Sequence, residues 1–156
     1  MPVEPGPESP AFRTFPAELR LLDQLRSFKD PQSRLAWISR RGSEHPGLPD
    51  AQRVEAHRVD GCLSKLWLTG VACSGGWKFE SDSDSMIVRG LASLVCEACN
   101  GRTSTELLER RPHPPLLSDP VLRSLTKSRR SGLTHLWNRL LSIVESSVNK
   151  TPQGPG

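Results

Sequence analysis

Several features that mark common protein classes are missing from this sequence. None of its apolar stretches approaches the length needed to cross a bilayer, so we expect no membrane association. Its Lys and Arg residues form no dense run, so we expect no nucleic-acid partner. Residues 1–10 contain two glutamates and four prolines, and they lack the basic start and apolar run of a signal peptide. We therefore expect a cytoplasmic protein.

The length and the proline distribution indicate a single domain. A chain of 156 residues can bury a core without disulfides or metals. None of its 14 prolines falls within residues 50–111, and proline disrupts both helices and sheets. We expect a disordered tail over residues 1–12, one domain over 13–149 and a second disordered tail over 150–156. The net charge of +4 is compatible with an acidic protein partner.

Hydrophobic spacing predicts an α+β fold with helices packed on a small antiparallel sheet of three strands. The expected strands cover residues 54–59, 64–72 and 77–81, and their short connections favour antiparallel pairing. Asp30 and Pro31 are typical of a helix start, and Gly42 is typical of a helix end. The polar cluster at residues 81–84 is predicted to cap a buried helix. Further helices are predicted over residues 16–28, 103–110 and 130–148.

The pair Gly61–Cys62 is the main candidate for chemistry. Glycine tolerates backbone angles that other residues avoid, and a thiol that follows it at a turn lies on a loop tip. A cysteine considered alone is more often a buried structural residue. The neighbouring segments favour a reactive role instead.

Three segments together resemble the SufE family, whose members accept sulfur from cysteine desulfurases. They are VDGCLSKLWL at residues 59–68, SDSMIVRGL at residues 83–91 and LTKSRRSGL at residues 125–133. They occur in the order that the family shows, and the resemblance covers residues 15–148. Two features depart from the family pattern. Lys127 stands where the family usually has proline, and Cys73, Cys96 and Cys99 belong to no family motif.

The resemblance implies a SufE/IscU-like fold and a sulfur-carrier role for Cys62. This cysteine would attack the outer sulfur of a persulfide on a desulfurase of the SufS or CsdA type. It would then carry that sulfur as a new persulfide toward an iron–sulfur cluster assembly scaffold. The chain would be an accessory carrier rather than an enzyme, with no cofactor or metal of its own, because pyridoxal phosphate belongs to the desulfurase. Monomer and homodimer both stay open.

The resemblance also suggests which residues surround Cys62. A cation beside a thiol lowers its pKa, and Lys65, His57, Arg58 and Arg129 are the candidates. Arg129 ranks first, because the family's Ser-Arg motif lies beside the cysteine loop. We expect Cys62 to be turned inward at rest and to swing outward when a partner docks. The residues expected to shape the loop or contact the partner are Gly61, Ser64, Lys65, Trp67 and Asp84.

Two other functions use the same cysteine. In a zinc-binding interaction module, Cys62 and Cys73 would share a metal with the pair Cys96 and Cys99, although a second closely spaced pair is missing. Packing at the end of an apolar helix explains Cys96 and Cys99 more simply.

In a cysteine hydrolase, Cys62 would be the nucleophile and a histidine its base. His57 and His135 are the candidates, but no local hydrolase signature accompanies them. Asp82 and Asp84 could in principle bind magnesium, but their place before a helix favours capping.

Overall fold

The structure, a computed structural model, describes residues 12–150, and side chains as far as residue 148. Within this range the fold contains a two-stranded antiparallel sheet and α-helices on several sides of it, which confirms the predicted α+β class. The predicted tails at residues 1–12 and 150–156 lie outside the described residues, except for Phe12 and Lys150. The main elements, in chain order, are α1 (Pro16–Arg26), α2 (Pro31–Glu44), β1 (Leu66–Cys73), β2 (Gly76–Ser83), α3 (Met86–Cys99), α4 (Ser104–Glu109) and α5 (Lys127–Lys150).

The sheet has two strands, so the prediction of a third strand over residues 54–59 is wrong. Residues Glu55–His57 form a 3-10 helix, and Arg58 makes only an isolated bridge to Trp67 of β1. Strands β1 and β2 pair from Leu66 opposite Ser83 to Cys73 opposite Gly76. Six residues are too few to distinguish the hydrophobic spacing of a strand from that of a helical turn.

The helix starts follow local sequence signals more closely than the helix ends. Asp30 caps α2 as predicted: its carboxylate accepts a hydrogen bond from the backbone N–H of Ser33 at 2.8 Å. Thr103 caps α4 in the same way. The predicted stop of α2 at Gly42 is wrong, because the helix continues to Glu44.

Helix α3 occupies the centre of the fold, in contact with α1, α2, α5 and β2. Nine of its fourteen residues are buried, as expected for a helix that is apolar around most of its circumference. Strand β2 contributes Trp77 and Phe79 to the same core, with ring centroids 5.4 Å apart. Among the residues that the structure describes, no helix is both long and apolar enough to span a bilayer.

Two glycines let α2 and α3 meet at backbone distance. A Cβ atom on Gly42 would lie 1.9 Å from the Met86 carbonyl oxygen, and one on Gly90 would lie 2.1 Å from the Ile38 carbonyl oxygen. No side chain fits at either position, so the two glycines set how closely the helices pack.

A buried ion pair joins the start of α1 to the end of α4. Glu18 and Arg110 are each 2 % exposed and are linked by two hydrogen bonds of 2.7 and 2.9 Å. The Glu18 carboxylate also accepts from the backbone N–H groups of Phe15 and Leu116. Because each charged group has partners, the pair is tolerated in the core.

Replacing Gly90 by alanine tests the α2–α3 contact. We expect Gly90→Ala to lower the free energy of unfolding by about 1–3 kcal/mol, because overpacking forces the backbones apart. Urea denaturation followed by circular dichroism measures the change. Gly75→Ala is the matched control, since a Cβ there meets nothing within 4 Å. Equal losses in the two variants would contradict the proposed role of the close contact.

Replacing Arg110 by methionine tests the buried ion pair. We expect a loss of about 3–5 kcal/mol in the free energy of unfolding, because the Glu18 carboxylate stays buried without its cation. The neighbouring Arg111 provides the control, because its pair with Glu145 at 2.9 Å is half exposed. Such an exposed pair contributes only about 0–1 kcal/mol. The expectation fails if Arg111→Met destabilises the protein as much as Arg110→Met does.

Candidate functional site

Cys62 lies on the loop that leads into β1, and its side chain turns toward α5. The loop begins where the Val59 N–H donates to the Leu66 carbonyl at 2.8 Å. Gly61 has a φ of 88°, a left-handed conformation that favours glycine. The next residue, Cys62, is half-buried, and its thiol faces the Gly132 carbonyl with Sγ 3.7 Å from the oxygen.

The far end of the loop is held by the segment that precedes α3. The Lys65 N–H donates to the Asp84 carboxylate at 3.0 Å, and the Lys65 carbonyl accepts from the Ser83 hydroxyl at 2.7 Å. Asp84 therefore fixes the loop instead of capping α3 as predicted. Ser85 is the cap, and its hydroxyl accepts from the backbone N–H of Val88.

Asp82, like Asp84, does not cap α3 as predicted. It is buried, and its carboxylate accepts a hydrogen bond from the Leu48 N–H at 2.9 Å. The Arg89 guanidinium lies 3.1 Å from the same carboxylate and also donates to the His45 carbonyl. These contacts attach the loop after α2 to the end of β2, so Asp82 and Asp84 serve two separate loops.

A cavity of about 220 Å³ lies beside the cysteine loop, between the starts of α3 and α5. Ser64 and Arg129, both predicted as site residues, are in its wall, and so is the adjacent Leu63, which is 91 % exposed. The other lining residues are Ser85, Val88, Leu91, Thr126, Ser128, Gly132 and Leu133. The cavity therefore brings together parts of all three segments that carry the family resemblance.

Burial and two nearby charges set the acidity of Cys62. Partial burial raises the pKa of the thiol, because the thiolate loses hydration. The Arg58 guanidinium opposes this rise and Asp60 adds to it. The charge that favours the thiolate here thus comes from Arg58, while the role predicted for Arg129 stays a prediction.

Trp67 is half-buried at the start of β1, among arginines of the preceding segment. The guanidinium groups of Arg53 and Arg58 each lie 6.0 Å from the centre of its ring system. This distance is within the range of cation–π attraction. Trp67 thereby helps to position Arg58, the cation that acts on Cys62.

The two histidines considered for a hydrolase occupy different environments. His57 Nδ1 lies 2.8 Å from the Gln52 carbonyl oxygen, in the segment before the loop. His135 lies on α5 and its ring packs against Gly61: a Cβ on that glycine would be 2.7 Å from Nε2. The sequence gives no local signal for this contact, because the two residues are far apart along the chain.

The other cysteines do not gather around Cys62. Cys96 and Cys99 are buried in α3, and burial raises the pKa of Cys96 to about 12. Cys73 is exposed at the end of β1. Among residues 12–150, no group of three or more His, Cys, Asp and Glu side chains is arranged to hold a metal ion. The zinc-module alternative therefore lacks a ligand set in this part of the chain.

Comparison with known proteins gives a consistent result. A family model described as SufE, Fe-S metabolism associated domain, matches residues 19–144. The chain is 35% identical to the sulfur acceptor protein CsdE of Escherichia coli over 123 residues, which is 78% of this chain and 81% of CsdE. It is 27% identical to a SufE-like protein of Synechocystis over 131 residues, covering 83% of this chain and 82% of that protein.

The fold also has a neighbour among solved structures. The solution structure of a hypothetical protein from Thermus thermophilus matches with a TM-score of 0.70 and 19% sequence identity. The match covers 88% of this chain and 100% of the other. At this identity the likeness concerns the fold alone, and it agrees with the α+β architecture.

Replacing Arg58 by alanine tests the electrostatics of the thiol. Without this cation the pKa of Cys62 should rise further, so a smaller fraction is thiolate at pH 8 and alkylation by iodoacetamide slows. Above the pKa the rates of the variant and the wild type should converge. Peptide mass spectrometry across a pH series measures the rate at Cys62. Arg130→Ala, which removes another cation, on α5, is the control. Identical profiles for the two variants would exclude a specific effect of Arg58.

Proposed function

The chain belongs to the SufE family, and from this premise we propose that it accepts sulfur from a cysteine desulfurase. The observation that carries the proposal is the position of Cys62. Its loop is anchored at Val59 and at Lys65, while its thiol rests half-buried against α5. The relative from Escherichia coli is itself named a sulfur acceptor protein.

The proposed step is a thiol–persulfide exchange at Cys62. The Cys62 thiol loses its proton to solvent, and the thiolate attacks the outer sulfur of the persulfide on the desulfurase. The new S–S bond forms on Cys62 while the S–S bond of the donor breaks, and the desulfurase leaves as a thiolate that takes up a proton. One sulfur atom moves between the proteins, and no external oxidant or reductant is needed.

The surroundings of the thiol support this role. An added sulfur lies about 2.05 Å from Sγ in a persulfide, taking the S–S length of a disulfide. Gly132 has no side chain on the side that faces Cys62, and a Cβ there would lie 3.6 Å from Sγ. The absence of that Cβ leaves room beside the thiol. Partial burial would also shelter a bound persulfide from other thiols.

The start of α5 is positively charged, which favours a partner with an acidic surface. Its first residues include Lys127, Arg129 and Arg130, and its first turn has no acidic residue. Cations are disfavoured at the positive end of a helix dipole, each by about 0.3–1 kcal/mol. Departures from local stability rules tend to occur at functional sites. We infer that this turn, together with Lys65 and Asp84, meets the desulfurase.

Pyridoxal phosphate would be supplied by the desulfurase and not by this chain. The receiver of the sulfur would be an iron–sulfur cluster assembly scaffold in the cytoplasm, where thiols stay reduced. Cys62 would swing out of its contact with Gly132 when the desulfurase docks, and Gly61 would provide the backbone freedom for that movement.

Mass spectrometry after incubation with a cysteine desulfurase and free cysteine tests the proposal. Without reductant, we expect one added sulfur on the peptide that contains Cys62, and dithiothreitol should remove it. Cys62→Ser should lose sulfur acceptance completely while its circular dichroism spectrum stays that of the wild type, because the hydroxyl cannot form a persulfide.

Cys73→Ser is the matched control, since Cys73 is exposed but lies away from the loop. It should accept sulfur like the wild type, and Cys96→Ser and Cys99→Ser should do the same if they fold. Full acceptance by Cys62→Ser would overturn the proposal. A requirement for Cys73, Cys96 or Cys99 would mean that the sulfur travels through a relay of thiols.

A further inference from the structure

The ring of His135 packs against the turn that precedes the reactive cysteine. A Cβ atom on Gly61 would lie 2.7 Å from Nε2 of His135 and 2.9 Å from both Cδ2 and Cε1. These distances are shorter than those of real Cβ contacts, so a side chain on residue 61 would force the ring or the loop to shift. Glycine at residue 61 is therefore favoured by its positive φ and, independently, by the packing of the imidazole ring.

The same helix contacts the loop at two consecutive residues. His135 lies one turn after Gly132 on α5, so the two face the same side of the helix. Gly132 meets the Cys62 thiol with its carbonyl group, and His135 meets Gly61 with its ring. Between the anchors at Val59 and Lys65, the loop is thus held against α5 at the two residues that control the direction of the thiol.

We propose that His135 is a positioning residue for Cys62, and that its ring keeps the thiol turned toward Gly132 until a partner docks. His135 lies outside the three segments that carry the family resemblance, which end at residue 133. Its role in sulfur transfer rests on the proposed function, whereas its effect on the resting loop does not. The contact is one of packing, so an uncharged group of equal reach should replace the imidazole.

The loop then has a closed and an open conformation, and His135 stabilises the closed one. A thiol in the closed conformation is partly shielded and has a raised pKa. Both effects slow its reaction with a small electrophile. Removing the ring should therefore increase the open population and the reactivity of Cys62 together.

Alkylation by iodoacetamide at pH 8, followed by peptide mass spectrometry, measures this reactivity without any desulfurase. The exposed Cys73 in the same chain is the internal reference, and the buried Cys96 and Cys99 report any loss of the fold. We expect His135→Ala to raise the ratio of Cys62 to Cys73 labelling about tenfold, because the variant loses a packed contact that stabilises the closed loop. His135→Gln should keep the wild-type ratio, because its amide reaches as far as Nε2.

Two results would overturn the proposal. One is an unchanged ratio in His135→Ala, and the other is a His135→Gln variant that reacts as fast as His135→Ala. If Cys96 and Cys99 also become labelled in His135→Ala, the fold has opened. His135→Ser, whose hydroxyl ends one atom short of the ring carbon nearest Gly61, then takes its place and must show the same rise.

A double-mutant cycle tests whether His135 acts through Gly61. Gly61→Ala should push the loop outward by collision with the ring and so increase the labelling of Cys62. In the His135→Ala background that collision is gone, so Gly61→Ala should increase the labelling of Cys62 much less. Fold-changes that simply multiply would show that the two residues act independently and would contradict the proposal. Because no sulfur transfer is involved, these outcomes are separate from the persulfide test of Cys62.

Discussion

The position of the candidate site depends on the close approach of α2 and α3. Gly42 and Gly90 let the two helix backbones touch, and this contact determines where α3 lies in the core. Strand β2 leads directly into α3, so Ser83 and Asp84 are placed with it. Their hydrogen bonds to Lys65 then fix the end of the cysteine loop. A backbone contact between two helices therefore positions the segment that anchors one end of the loop.

The loop combines protection of the thiol with low resting reactivity. Burial against α5 raises the pKa of Cys62, and Arg58 offsets only part of that rise. A protonated, half-buried thiol is a poor nucleophile, which suits a carrier that should react with one donor rather than with any small electrophile. In the proposed function, movement of the loop restores hydration and brings Cys62 within reach of the donor at the same time.

Local patterns predicted the elements whose signals are complete within a few residues. Asp30 and Pro31 gave the start of α2, and the apolar spacing of α3 and α5 gave buried helices. Two of the errors arose where a residue serves a distant partner. Gly42 resembles a helix stop but is needed for contact with α3, and Asp84 resembles a helix cap but bonds to Lys65. The ion pair of Glu18 with Arg110 joins residues that no local pattern connects.

In the candidate site, Gly61 is subject both to a local constraint and to one from a distant residue. A glycine before a cysteine indicates a turn, and the φ of Gly61 agrees with that interpretation. The second constraint on Gly61, the ring of His135, depends on how α5 packs across the loop and has no counterpart in the neighbouring sequence. A substitution that satisfied the turn alone would still force the ring or the loop to shift. Glycine at position 61 therefore meets a requirement of the tertiary structure as well as one of the local chain.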